Sequence, residues 1–171
     1  TSYNQIIDVD PSHIIRVAIA FGFHRARMKY GYKLLRGDDL DAGTTSVETR
    51  EKNMQIFRDS LAHVINLNDW HAFINLFPEA GYLGKDQVRS NYVVVFSYVF
   101  YLMGKYEYGV QPLVLRHAIT RWIFMATITS FYSSSPESTV ERQLADLRSI
   151  HNADEFIAFL DNTVKMRMSE T

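Results

Sequence analysis

Residues 16–36 hold six cations, Arg16, Arg25, Arg27, Lys29, Lys33 and Arg36, and no acid. At about 100° per residue, Arg25, Lys29, Lys33 and Arg36 fall on one helical stripe. A stripe of this kind is suited to contact phosphates of nucleic acid. The same pattern also describes a solvated face whose aliphatic stems cover apolar neighbours, with the acids from Asp38 onward neutralising it. A second feature is the loop Ser133-Ser134-Ser135-Pro136, which leads into a helix start. Free N–H groups there could hold an anion. Capping by Ser134 or Ser135, with Glu137 closing a box from Ser134, is the favoured account of it. A third is Arg121, set beside Trp122 in an apolar run. A buried guanidinium needs a partner. Glu137 and Glu141 on the following helix are the candidates if the two helices pack as a hairpin. Arg116 and His117 also read as structural.

Catalytic and metal chemistry find little to use. The six histidines include no pair at i, i+3 or i+4 and no HExxH, so a helix-borne zinc site is not supported. There is no GxxxxGK[ST], GxGxxG or GxSxG, and Asp38-Asp39 beside glycine reads as a turn. No catalytic residue, metal or cofactor is assigned. The enzyme that remains conceivable draws Arg121, Glu137 and His117 from distant segments.

These residues need elements to place them. Pro112 to Phe131 is apolar almost all round and predicts a central helix enclosed by others. Asp10-Pro11 marks a helix start, and that helix, bent at Gly22, continues to Gly37. Thr45-x-x-Glu48 reads as a capping box for a helix reaching about Asn66. Asn68 or Asp69 caps a short helix, Trp70 to Phe77, ended by Pro78. Ser90 or Asn91 opens the run Tyr92–Met103, whose Val, Tyr and Phe content admits a strand and whose length favours a helix. Pro136 to Ile150 and Asp154 to about Met166 supply two amphipathic helices. The fold class is all-α, a single multi-helix bundle of six to eight helices in one domain, 1–171.

Composition agrees. Hydrophobic residues make up 47%, with only 8 glycines and 4 prolines, which favours long helices over many short strands. A net charge of −1 provides no global field for nucleic acid or membrane. With no cysteine, disulfides and thiolate metal sites are ruled out, in keeping with a reducing cytoplasm. The 12 residues from Tyr92 to Met103 are too few to span a bilayer. The chain opens on Thr1, as a piece of a longer protein does. A dimer through the aromatic Tyr92–Tyr108 region is one way it could oligomerise.

The run from Arg116 to Leu147 resembles a stretch, a domain of unknown function, of the GmrSD-type, modification-dependent restriction proteins. The elements that carry the likeness are Arg121-Trp122, Phe124, Tyr132, Ser135-Pro136-Glu137-Ser138, and Glu141 followed by Leu144 and Asp146. Earlier pieces are similar: Ala20-Phe21-Gly22-Phe23 with Arg25-Ala26-Arg27, Leu35-Arg36-Gly37 with Asp39-Leu40, Asp69-Trp70 with Phe73, Gly81-Tyr82, and Ser97-Tyr98 with Tyr101-Leu102. In that family a ParB-like, nucleotide-binding domain with a DGQQR-type motif precedes a helical region, and many members add a His-Asn-His nuclease. The resemblance implies that this chain is the helical region alone, a non-catalytic module whose partners are the flanking domains and, through the basic stripe, DNA. Members tend to carry arginine just before the tyrosine, where this chain has Phe131.

Overall fold

The computed structural model describes residues 6–171 and is an all-α bundle, with eight helices of at least eight residues among them. α1 is Pro11–Phe23, α2 Met28–Arg36, α3 Val47–Val64, α4 Leu67–Ile74, and α5 the single turn Leu76–Glu79. α6 is Asn91–Leu102, α7 Pro112–Ile128, α8 Pro136–Asp146 and α9 Ala153–Ser169. A two-residue hairpin, Asp38–Asp39 against Thr44–Thr45, joins α2 to α3.

The helix starts follow from side chains that accept otherwise orphaned N–H groups. The Asp10 carboxylate accepts from Ser12 N–H at 2.8 Å, with Pro11 at the first helical position. Ser90 begins α6. Two caps differ from expectation. Ser46, not Thr45, begins α3, taking the N–H of Thr49 at 3.0 Å, because Thr45 is engaged in the hairpin and bonds Asp38. Asn66 begins α4, which frees Asp69 to turn inward. Pro78 lies inside α5 rather than after it, in a first turn that needs no N–H from it.

The expected single bent helix from Asp10 to Gly37 is two helices. α1 ends at His24, whose φ of 55° is left-handed, and residues 24–27 form a corner. Gly22 serves close approach rather than bending: a Cβ there would meet Ser60 Oγ on α3.

α6 and α7 share the centre. α6 packs on α1 and α7, and α7 packs on α5, α6 and α9. The rings of Phe96, Tyr98 and Phe100 lie in the core. α7 buries Leu115, Ile119, Trp122, Ile123 and Met125, yet leaves Leu113, Phe124 and Ile128 exposed along one side. Trp122 is fully buried, edge-on to Phe100 and Phe131, and its indole N–H donates to the Tyr132 hydroxyl at 3.2 Å. All the buried apolar residues but Ile19 and Leu34 form one connected cluster from Ile6 to Leu160.

Burial raises the pKa of the Tyr132 and Tyr98 hydroxyls, and pushes Tyr108 up to about 12, with Glu107 adding to the last. A group whose pKa is higher folded than unfolded stabilises the fold below its unfolded value, here 10.0, and loses that contribution as pH climbs toward the folded one. Stability is therefore expected to fall across roughly pH 10 to 12. In an ultraviolet titration of the 10 tyrosines, these three should ionise only as helical circular dichroism is lost. Ionisation of all of them with the helices intact would contradict the burial.

Candidate functional site

Polar side chains gather at two places; those singled out from the sequence meet at the first and otherwise scatter. The main gathering is the α1–α2 corner, covered by α8. Glu141 projects from α8 into it. One carboxylate oxygen accepts the N–H of Ala26 at 2.6 Å and of Arg27 at 3.1 Å. The other accepts from the Arg25 guanidinium at 3.1 Å. One helical turn earlier, Glu137 pairs with Arg16 of α1, whose guanidinium also donates to Ala26 O at 3.3 Å and lies over the Tyr92 ring. Arg27 donates to Ser138 Oγ at 2.9 Å. The two acids of α8 thus neutralise Arg16 of α1 and Arg25 of the corner, and Glu141 also bonds to the corner's backbone. Charge-assisted bonds of this sort are about twice as strong as neutral ones.

Three expectations are corrected by this geometry. Arg121 is exposed, and its guanidinium donates to Asp161 of α9 at 2.7 Å. α7 and α8 are joined by a loop that turns α8 toward α1, so Glu137 and Glu141 face the corner instead of Arg121. Ser135 starts α8 with a left-handed φ of 46° and no side-chain cap bond, and Glu137 is committed to Arg16 rather than to a box from Ser134. Pro136 occupies the first helical position, where its missing N–H costs nothing. Arg25 leaves the basic stripe, because the chain breaks before α2 and the side chain turns to Glu141.

Lys29, Lys33 and Arg36 remain together on the exposed face of α2. The set of Arg121, Glu137 and His117 does not converge: the first pairs with α9, the second with α1, and His117 is exposed on α7. Arg116 makes a two-pronged contact with Glu79 of α5.

The second gathering was missed from the sequence. Asp69 of α4 is only 2% exposed and receives both Lys105 Nζ and the Tyr106 hydroxyl. A π-helical turn, Met103–Glu107, allows two successive residues to reach one carboxylate. The His63 ring lies 4.0 Å from that of Tyr106. Hydrogen bonding to Asp69 raises the pKa of Lys105. Lys105 stands 36 residues from Asp69, so no local spacing announces the cluster. It ties α4 to the end of α6, and every polar atom named in it is engaged.

Among the described residues, no group of three His, Asp or Glu is placed to hold a metal ion, and no helix is long and apolar enough to cross a membrane. Two apolar surfaces stand out. One is a groove of about 280 Å³ between α1, α4 and α6, with Ile14, Leu67, Trp70 and Val94 among its walls. The other is the exposed side of α7, which carries Leu113, Phe124 and Ile128, with Phe124 sharing a shallow pocket with Val164 and Met168 of α9. Comparison with protein-family models, with characterised proteins and with solved structures finds no match for this chain.

Proposed function

We propose that this chain is the helical scaffold and interaction module of a GmrSD-like restriction protein acting in anti-phage defence in the bacterial cytoplasm. In this reading it links a ParB-like nucleotide-binding domain to a nuclease or other effector and performs no chemistry itself. The observation that carries the reading is the use made of Glu141. A carboxylate in the part of the chain most like that family is occupied by an arginine and two backbone N–H groups, which is the work of a strut. Trp122 with Tyr132, and Glu137 with Arg16, are spent in the same way. The exposed Leu113, Phe124 and Ile128 on one side of α7 suit a surface on which a neighbouring domain rests.

A second reading, contact with DNA phosphates, is favoured by Lys29, Lys33 and Arg36 sharing the open face of α2. The open reading frame that encodes the chain tests the first reading. It is expected to carry a DGQQR-type motif upstream and an effector such as a His-Asn-His nuclease downstream. A reading frame with neither would overturn it.

A further inference from the structure

The open face of α2 carries an aromatic ring that phosphate contact alone does not use. Tyr32 is 71% exposed, among the most exposed large apolar side chains of the protein. It lies three residues after Lys29, one before Lys33 and four before Arg36, so all four side chains share one side of the helix. Lys29 is exposed, with its Nζ 5.0 Å from the centre of the Tyr30 ring. Arg36 donates to Asp38 at 2.9 Å but stays 70% exposed, so the rest of its fork faces solvent. Of the neighbouring acids, Asp38 is paired on this face and the exposed Asp41 is nearest to Arg25. The Asp38 carboxyl is held below the usual carboxylate range by hydrogen bonds from Arg36 and then Thr45, and Asp41 lies 3.9 Å from Arg25. From Lys29 to Arg36 the face runs about 10 Å, a few nucleotides of chain.

We infer that this face binds a single strand of nucleic acid, with Lys29, Lys33 and Arg36 on successive phosphates and an unpaired base stacked on Tyr32. The inference rests on the phosphate-contact reading above and names the form of nucleic acid it takes. Cations supply attraction to any polyanion, but an exposed ring between them adds nothing on a duplex whose bases already stack on one another. On a strand with free bases it adds a stacking surface indifferent to sequence. DNA and RNA share that chemistry.

The test is fluorescence anisotropy with three labelled probes of equal length: oligo-dT, oligo-U and a DNA duplex, each at several salt concentrations. The chain is expected to bind one or both single strands more tightly than the duplex. Three phosphate contacts give a slope of about −2 in log affinity against log salt. Tyr32→Ala should weaken single-strand binding about tenfold and leave duplex binding unchanged, while Tyr32→Phe keeps the affinity. Both variants alter an exposed side chain, so circular dichroism should match the parent. Tighter binding to the duplex, or single-strand affinity indifferent to Tyr32→Ala, overturns the inference and leaves phosphate contact standing. Absence of binding to all three probes at low salt removes both. Comparison of oligo-dT with oligo-U tells which strand the face prefers.

Discussion

Trp122→Ala is expected to lower the free energy of unfolding by about 3–5 kcal/mol, a large share of the stability of a domain this size. The indole is fully enclosed between α6, α7 and the Phe131–Tyr132 segment, so removing it leaves a cavity that rigid neighbours on three sides cannot close. It also takes away the N–H that the buried Tyr132 hydroxyl accepts. Trp122→Phe separates the two effects. It restores most of the ring contact but leaves that hydroxyl without its donor, at about 1–3 kcal/mol. Adding Tyr132→Phe to Trp122→Phe should then recover part of the loss. Urea unfolding followed by circular dichroism measures all of these. A cost below about 1 kcal/mol for Trp122→Ala would mean the site is not enclosed as described.

Glu141→Ala is expected to cost a similar about 3–5 kcal/mol, by a different route. No large cavity forms. Instead the Arg25 guanidinium loses its main counter-charge, and the N–H groups of Ala26 and Arg27 lose their acceptor in a corner where Ala26 is buried. Glu141→Gln keeps one acceptor oxygen and should cost less than Glu141→Ala. Because the carboxylate holds the corner, hydrogen exchange in Glu141→Ala should quicken first at residues 24–28 and only later in α6 and α7. Uniform quickening would instead say that α8 supports the whole core rather than the corner.

These two residues also mark how far the sequence could be read. The helical class, the start of α1 at Asp10-Pro11 and the start of α6 at Ser90 rest on local chemistry, so spacing was enough. Trp122 lies in an apolar run whose burial was expected for the same reason. The partners of the charged residues were not legible. Glu141 and Arg25 are 116 apart in sequence, and Arg121 and Asp161 are 40 apart. Pairing Arg121 with Glu141 required α7 and α8 to form a flat hairpin. Ser130 and Ser135 both adopt left-handed φ in the connecting loop, and α8 leaves toward α1 instead. The break after Phe23 was hidden likewise. His24-Arg25-Ala26-Arg27 contains no proline or glycine, and what holds the corner is a carboxylate far along the chain. Asp69 looked like a cap because the helix start three residues earlier, at Asn66, is no more conspicuous in sequence. Phe131, standing where the resembling family tends to have arginine, packs on Trp122 and Tyr132 and lies under the Arg167 guanidinium, so here the position is filled by core packing.

In the reading proposed above, the acids of α8 hold helices together and do no chemistry. Turnover by the chain itself tests it most directly. The chain is incubated with nucleoside triphosphates, magnesium or manganese, and modified or unmodified DNA, beside Glu137→Gln and Glu141→Gln variants whose circular dichroism matches the parent. Neither phosphate release nor strand cleavage above the protein-free control is expected from any of the three. Turnover by the parent chain that either variant abolishes while staying folded would contradict it.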